Sequence, residues 1–388
     1  MDFFDGHNYR VNKILLSAVG QWPYQSSRTS QVIRIVIVTV VCSQFLAKLC
    51  GMYAYIHDMD IVIECLVPIM VDVSGMTKIM NSILCINEIR ELLEQIRNDF
   101  CSLRNSNDIK ILQKYADSGK RSSTVYASVL YTMTVVFMLV PFQPLILRVA
   151  NATTRPMLHR VEYFVDMDKY YFPILFHGYF TAVICVTSIV ASDAMFVIFV
   201  QHACGLFIIT SSRIEQAIRE VCLTADANLP IMKDNAYQNM IQCVRDHRAA
   251  IRFTNLMEMV YSKHFLFHSG LNMIAMSVTS VGAVVKLGDL NVALRYASFT
   301  ICLLSVLYLE SWPGQQLSDY TNKIFSYITG GRWYQSSLRV RRIINIMLLR
   351  SYVPIKITAG KLYTLNLANF SAVARTSFSY FTVLCSMQ

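Results

Sequence analysis

The stretch that decides the fold is residues 173–210, PILFHGYFTAVICVTSIVASDAMFVIFVQHACGLFIIT, which contains one acidic residue and no Lys or Arg. A helix that crosses the hydrocarbon core of a bilayer needs about 20 predominantly apolar residues. This stretch continues in a helical pattern through Ser211 to Cys222, so its length at 1.5 Å per residue is roughly twice what a bilayer requires. We therefore expect one long helix that spans a membrane and protrudes beyond it.

Six other apolar stretches accompany this one. They lie near 32–56, 61–86, 124–147, 258–285, 293–315 and 357–386. Of the 388 residues, 54% are hydrophobic and 15% are charged, and the mean hydropathy is +0.40, whereas soluble domains carry roughly 25% charged residues. The sequence therefore predicts an all-α membrane protein with seven transmembrane helices.

The Lys and Arg residues are distributed unevenly between these spans. The N-terminal segment and the stretches 90–121, 213–252 and 323–350 hold 22 of them, whereas the segments on the opposite side hold five. Because Lys- and Arg-rich loops remain in the cytoplasm, the N-terminus is predicted to be cytoplasmic and the C-terminus extracellular. Asn151, in an Asn-Ala-Thr sequon, falls in a loop that this count puts outside, so it is a candidate glycosylation site.

The segments assigned to the cytoplasm have helical periodicity. Residues 240–256 and 338–350 place apolar side chains on one face and charged ones on the other. We expect them to pack with the protruding end of the long helix as a cytoplasmic anchor bundle; helices lying in the lipid headgroups are the alternative. The predicted division is a cytoplasmic N-terminal segment, six spans, an anchor segment and a last helix, at 1–31, 32–312, 313–350 and 351–388.

The sequence contains no common catalytic signature. HExxH, GxSxG, GxxxxGK[ST] and GxGxxG are all missing, so we expect neither an enzyme nor a cofactor. The 11 cysteines include no CxxC pair, which argues against a zinc site or a disulfide framework. The formal charge of +10 lies mainly in the loops between apolar stretches, where it is an orientation signal and does not indicate nucleic-acid binding.

Several polar residues lie inside the predicted spans. Such groups are costly in hydrocarbon unless they are paired or face a cavity. They indicate either a polar-lined pocket or interhelical pairing. These residues are Lys48, Glu64, Asp72, Lys78, His177, Asp193 and His202.

The last span has one face of small residues. At 100° per residue, spacings of three and four keep them on one side of a helix. Such a stripe is typical of a pore-lining helix, with Val383 as a hydrophobic constriction, or of close helix packing. Arg375 on the same stripe would repel permeant cations unless it pointed into a hydrated vestibule or paired at a subunit seam. The stripe consists of Ala368, Ala372, Arg375, Ser379, Val383 and Ser386.

Several motifs in order along the chain resemble the insect odorant-receptor family. They begin with Pro313-Gly314-Gln315-Gln316-Leu317, continue through RRIINIMLLR at 341–350 and Ser351-Tyr352-Val353-Pro354, and close with SYFTVL at 379–384. The outer stretch RVEYFVDMDKYYFP at 160–173 is similar to the tuning receptors of ants, bees and wasps. The resemblance extends over the whole chain, since the length and the seven spans also match.

This resemblance implies a tetrameric, ligand-gated, non-selective cation channel in the plasma membrane of olfactory neuron dendrites. An odour-binding subunit assembles there with a common co-receptor, and the intracellular loop that extends the co-receptor is missing here. The present chain would therefore be the subunit that binds a volatile small molecule, with lipid around it. The closing motif implies that Val383 is the gate, with Ser379 on the pore face and Ser386 and Met387 at the outer mouth.

The resemblance also implies an odour pocket in the outer half of the bundle, among spans two, three, four and six. A mostly apolar cavity with one or two hydroxyl groups would bind volatile ligands by burial. Ordinary helix packing is the alternative for each of its residues. Matched by depth, the candidates are Met70, Val73, Phe137, Met138, Pro141, Phe176, Phe180, Ser305 and Tyr308.

Two other receptor classes compete with this interpretation. A gustatory receptor-type channel of the same superfamily would share the mechanism. A G-protein-coupled receptor would share the seven spans, but the charge count puts the N-terminus inside, and the sequence lacks an acidic-Arg-Tyr motif in span three and an NPxxY turn in span seven.

Overall fold

The computed structural model describes residues 3–103, 105–142, 157–227, 230–285, 288 and 290–386. These residues form ten α-helices, three short 3-10 helices and one β-hairpin. The helices are α1 Arg10–Ala18, α2 Ser27–Ala54, α3 Met59–Leu84, α4 Ile86–Ser102, α5 Ser106–Met138, α6 Tyr171–Ala227, α7 Pro230–Val285, α8 Leu290–Gly330, α9 Leu338–Ser351 and α10 Leu367–Ser386. The strands are β1 Thr358–Ala359 and β2 Tyr363–Thr364, and the 3-10 helices are Phe3–Asp5, Val140–Phe142 and Trp333–Gln335.

Each of the seven predicted spans falls on a different helix, in order α2, α3, α5, α6, α7, α8 and α10. By length and hydropathy alone, two helices within the described residues could cross a membrane, Ser27–Ala54 and Tyr171–Glu220. Other spans are more polar, and α3 carries Glu64, Asp72 and Lys78. These helices depend on their neighbours to satisfy their charges.

Helix α6 is the central element of the fold. It packs against α5, α7, α8, α3, α2 and α1. Every residue from Ser188 to Gly205 is buried, which explains why this part of the sequence is apolar on all its faces. The long continuous helix predicted from residues 173–222 is present and runs further at both ends.

The helices α5, α6, α7 and α8 extend well beyond their apolar spans, and their extensions pack together at one end of the molecule. Arg213 on α6 links two neighbours there: its guanidinium donates to Asp108 on α5 at 2.8 Å and to Asp246 on α7. Burial by itself lowers the pKa of Arg213, but the hydrogen bonds it donates to these carboxylates, together with their negative charge, raise the pKa above its ordinary value. Helix α9 completes this bundle with buried Val340 and Ile344.

Two predicted boundaries fall at positions other than the ends of the helices. The division at 312/313 falls inside α8, which continues through Pro313 to Gly330. The predicted last span begins at 357, but its first residues form the β1–β2 hairpin, where Gly360 and Lys361 have φ of +60° and +61°. A positive φ ends helical geometry, so α10 begins only at Leu367.

The N-terminal segment is part of the folded structure. Phe4, Tyr9, Leu16 and Trp22 are buried and belong to the same apolar core as α6 and α7. The following helix α2 begins at a serine cap, since Ser26 Oγ accepts a hydrogen bond from the Thr29 backbone N–H. Residues 3–31 therefore pack against the bundle end of the molecule.

Candidate ligand-binding cavity

A cavity of about 170 Å³ lies among α3, α5, α6, α7 and α8. Apolar side chains form most of its wall, and a few polar ones interrupt them. Apolar clefts and cavities with a few polar groups are typical binding sites for small molecules. The polar or ionisable lining residues are Lys48, Asp72, Ser74, Thr134, His159, Cys185, His268, Asn272, Ser298 and Cys302.

Short turns of five helices form most of the cavity wall, and Lys48 of α2 and His159 complete it. Each helix contributes residues spaced by three or four, which lie on one helical face. On α5 these include Leu130, Met133 and Phe137, and on α8 they include Phe299, Cys302 and Val306. Pro68 interrupts the backbone hydrogen bonding of α3 and also lines the cavity.

Two of the predicted pocket residues line this cavity, Met70 on α3 and Phe137 on α5. Val73, Met138 and Pro141 lie near wall residues in the sequence, but they do not line the cavity themselves. Successive side chains on a helix point in directions 100° apart, so neighbouring residues at nearly the same depth lie on different faces. A selection by depth alone therefore includes side chains that face away from the cavity.

The other four predicted pocket residues lie on other faces of their helices. Phe176 and Phe180 on α6 are 70% and 44% exposed on the isolated chain, with their rings stacked at 6.2 Å. On α8, the Ser305 hydroxyl donates to the Ile301 carbonyl of its own helix. Tyr308 lines a second cavity of about 220 Å³ between α5, α6 and α8.

Helix α7 forms one wall of the cavity, although the pocket predicted from sequence lies among spans two, three, four and six and does not include this helix. His268, Leu271, Asn272 and Ala275 supply this wall. Their spacing of three or four, with two buried polar residues among apolar ones, was the available signal. The amide of Asn272 donates to the Leu303 carbonyl at 3.2 Å, which ties α7 to α8 beside the cavity.

Three rings separate this cavity from a smaller one of about 20 Å³ on its outer side. The Phe137 ring lies 5.0 Å from that of Phe299 and 5.4 Å from that of His159. Both cavities share these three residues, and the outer one is also lined by the ion pair between Arg295 and Glu64. The rings therefore form part of the wall between the two cavities.

A buried network of charged side chains lies next to the cavity. Lys78 Nζ is 2.5 Å from Asp193 Oδ1 and 3.0 Å from Glu310 Oε1, so it joins α3, α6 and α8. Tyr126 on α5 donates to Asp193, and His268 lies 3.2 Å from Glu310. These contacts pair the span residues Lys78 and Asp193 with one another, in agreement with the pairing alternative from sequence.

The remaining polar span residues are also paired. Lys48 Nζ donates to Asp72 Oδ2 at 2.7 Å, and His202 Nε2 lies 2.9 Å from Asp99 Oδ2. Near the outer end, His177 Nδ1 lies 2.6 Å from the Tyr163 hydroxyl. Tyr163 therefore attaches the outer loop to α6.

The predicted pore stripe, as far as Ser379, lies on the face of α10 that the described residues leave uncovered. Ala372, Arg375 and Ser379 are exposed, whereas Ser377 on the opposite face is 1% exposed. Helix α10 packs with that opposite face toward α7 and α8. Val383 and Ser386 lie on the last turns of α10, and Met387 and Asn151 lie outside the described residues.

Within the described residues, no group of three or more His, Cys, Asp and Glu side chains is arranged to hold a metal ion. The polar groups near the cavity are instead paired in twos and threes, as in Ser74 Oγ and His268 Nδ1 at 2.6 Å. The cavity therefore has the features of a binding site for a neutral organic molecule.

Comparison with known proteins gives consistent results. A family model described as 7tm Odorant receptor matches residues 58–378. Odorant receptor 13a of Drosophila melanogaster is 25% identical over 284 residues, which are 68% of this chain and 66% of that receptor. Odorant receptor 63a of the same species is 25% identical over 207 residues, 52% of this chain and 46% of that receptor. The chain thus spans about half to two thirds of the length of these curated relatives.

Solved structures match over nearly the entire chain. The insect olfactory receptor OR5 from Machilis hrabei in complex with eugenol superimposes with a TM-score of 0.78 at 15% identity, covering 98% of this chain and 97% of that one. A second structure of that receptor gives a TM-score of 0.74 at 14% identity. The shared fold confirms the prediction of an all-α membrane protein with seven transmembrane helices.

Proposed function

Since the chain belongs to the 7tm odorant receptor family, we propose that it is the odour-binding subunit of a ligand-gated, non-selective cation channel, assembled with a co-receptor. The family consists of receptors and channels, so the chain is not an enzyme. The observation that carries the proposal is the mostly apolar cavity among α3, α5, α6, α7 and α8. A volatile molecule would bind there mainly by burial of apolar surface, at about 25 cal/mol per Å².

The position of the cavity supports a direct connection to the rest of the channel. His268 contacts both Ser74, on the cavity wall, and Glu310 of α8. Four residues further along α8, Gly314 approaches the backbone of Leu365, which precedes α10. A ligand that binds the open arrangement more tightly would shift the population toward it, and this chain of contacts would carry the shift to α10.

The pore assignment is part of the same proposal. The stripe of small residues on α10 would face a central pore, with Ser379 on the pore face, Val383 as the gate and Ser386 with Met387 at the outer mouth. Its support is the exposure of Ala372, Arg375 and Ser379 on a helix whose other face packs against the chain. Arg375 would be tolerated where only some of the four subunits carry it.

We further propose the orientation and the location given by the charge count. The N-terminus and the bundle end would lie in the cytoplasm, where residues 313–350 would contribute to contacts between subunits. The C-terminus would be outside, and Asn151 would accept a glycan. The plasma membrane of olfactory neuron dendrites is the expected site of action.

The decisive experiment is current recording from cells that express the chain with and without an odorant co-receptor. The cells are challenged with a panel of volatile compounds while G-protein signalling is blocked. Rapid cation currents that require both subunits are the expected result. Currents from the chain alone would indicate a homomeric channel, and responses that require G proteins would contradict the proposal.

A further inference from the structure

Lys48 is a charged residue on the wall of the main cavity. It lies on α2 with 4% of its surface exposed, and it lines both the main cavity and the smaller outer one. Its ammonium donates to Asp72 Oδ2 at 2.7 Å, and Asp72 lines the main cavity as well. A buried ion pair is thus part of an otherwise mostly apolar wall.

This ion pair does not exhaust the hydrogen-bonding capacity of its own groups. A lysine ammonium carries three N–H donors, and among the described residues Asp72 accepts from one of them. The second Asp72 oxygen, Oδ1, receives the Cys185 thiol at 3.9 Å, and a thiol is a weak donor. Lys48 therefore retains donor capacity at the surface of the cavity.

Unused donors of a buried charge are costly. Without a ligand, water in the cavity can satisfy them, because the site offers the several polar partners that buried water requires. A hydrocarbon that fills the cavity expels this water and leaves the ammonium donors without a partner, which costs the desolvation of those donors. An oxygen atom on the ligand replaces the lost water.

The charge pattern also restricts what that oxygen can belong to. Asp72 lies against Lys48, so a carboxylate ligand would meet a negative charge within hydrogen-bonding distance of the cation. An organic ammonium ion would in turn be repelled by Lys48. Both charged classes are disfavoured, and a neutral molecule with an accepting oxygen fits the wall.

We propose that this cavity selects neutral volatiles that carry an accepting oxygen, such as ketones and esters, over hydrocarbons of the same shape, and that Lys48 Nζ donates to that oxygen. This inference rests on the proposed function, since it names the ligand class of the same site. A site built to hydrogen-bond a ligand discriminates strongly against the analogue that lacks the partner. We expect the preference to be about tenfold or more in binding affinity.

The test compares 2-octanone with 2-methyl-1-octene, in which a methylene group replaces the carbonyl oxygen. Binding is measured by ligand-induced thermal stabilisation of the full purified chain in detergent, and response by currents in cells with the co-receptor. The double variant Lys48→Met with Asp72→Leu should reduce the preference for the ketone to about twofold or less. Both charges are removed together, because a single change would leave the other buried without a partner.

The matched control removes the second ion pair of this region. Glu64 and Arg295 line the outer cavity and are not part of the main cavity wall. The double variant Glu64→Leu with Arg295→Met should therefore retain the full preference for the ketone.

Two results would overturn the inference while leaving the proposed function intact. One is equal affinity of the wild-type chain for the ketone and the alkene, which needs no variant. The other is an undiminished ketone preference in the Lys48→Met, Asp72→Leu protein. If neither compound nor any other of a volatile panel binds or evokes current, the proposed function itself fails.

Discussion

Two parts of helix α6 are similarly apolar in composition but have very different surroundings. From Tyr171 to Thr187 the helix alternates between buried and exposed positions, with Phe172 and Phe176 about 70% exposed on the isolated chain and Ala182 and Val186 facing the cavity. From Ser188 to Gly205 every residue is buried. The first part is partly exposed and borders a cavity, whereas neighbouring helices enclose the second part.

The difference shows where the molecule has room to respond to a ligand. Close packing leaves little space for a change in volume, and the enclosed part contains small residues, such as Ala191, Ala194 and Ala203, that allow helices to approach one another. The candidate ligand cavity borders mainly the first part and reaches the second only at Ile189, while the cavity lined by Tyr308 borders the second part. A ligand in the candidate cavity would therefore act mainly on the first part of α6, while the enclosed part transmits or resists the change.

The largest effect is expected at Lys78 of α3, which pairs with Asp193 in the enclosed part of α6 and with Glu310 of α8. Lys78→Met would leave two buried carboxylates without their shared cation. We expect a loss of about 3–5 kcal/mol in stability, measured as a lower melting temperature and lower surface expression. The control Lys110→Met changes an exposed lysine and should stay within about 0.5 kcal/mol; equal effects of the two variants would contradict a structural role for the network.

The next largest effect is expected at the bundle end, where His247 is 6% exposed and packs against the ring of Phe207. Burial, with a smaller effect from Arg350, lowers the pKa of His247 to about 4. The unfolded chain then binds more protons than the folded one between about pH 6.5 and pH 4, so stability falls as the pH falls through that window. We expect a loss of about 3 kcal/mol.

This pH dependence is measured by thermal melting of the purified chain between pH 7.5 and pH 4. The variant His247→Gln cannot take up a proton and should melt with a smaller acid shift than the wild type. An identical acid shift in both proteins would exclude His247 as its source. The result would also extend the comparison, because it tests whether the bundle end is as tightly packed as the enclosed part of α6.

One substitution made in both parts of α6 compares them directly. Ala194→Leu adds volume where the residue is fully buried and should cost about 1–3 kcal/mol in stability. Ala182→Leu adds the same volume beside the cavity and should cost less than about 1 kcal/mol while it weakens responses to volatiles. The two variants are compared by their melting temperatures and odour-evoked currents. Similar losses of stability would show that the two parts of α6 do not differ in packing.

The smallest effect is expected at Phe176, which faces away from the cavity. Phe176→Ala should change stability by no more than about 0.5 kcal/mol and leave the selectivity among volatiles unchanged. Phe137→Ala removes a ring from both cavity walls and should alter ligand sensitivity. Dose–response curves of both variants decide whether the cavity or the outer face of α6 contacts the ligand; a shift for Phe176 alone would favour the outer face.

The candidate site was predictable from sequence only in part. Depth along each span follows from residue counting, and this was enough to find Met70 and Phe137. The rotation of each helix about its axis depends on which neighbours it packs against, so Phe176, Phe180 and Tyr308 were chosen on faces that the cavity does not use.

The sequence by itself determined the class of the protein, the number of spans and their order, because burial in hydrocarbon requires about 20 apolar residues wherever a helix crosses. The apolar composition of residues 173–210 and the helical pattern to Cys222 also determined that α6 extends beyond its span. Tertiary structure alone decided which charges meet and where the space remains. Lys48 pairs with Asp72, and Lys78 pairs with Asp193 and Glu310, because helices distant in sequence pack side by side at a fixed rotation and depth.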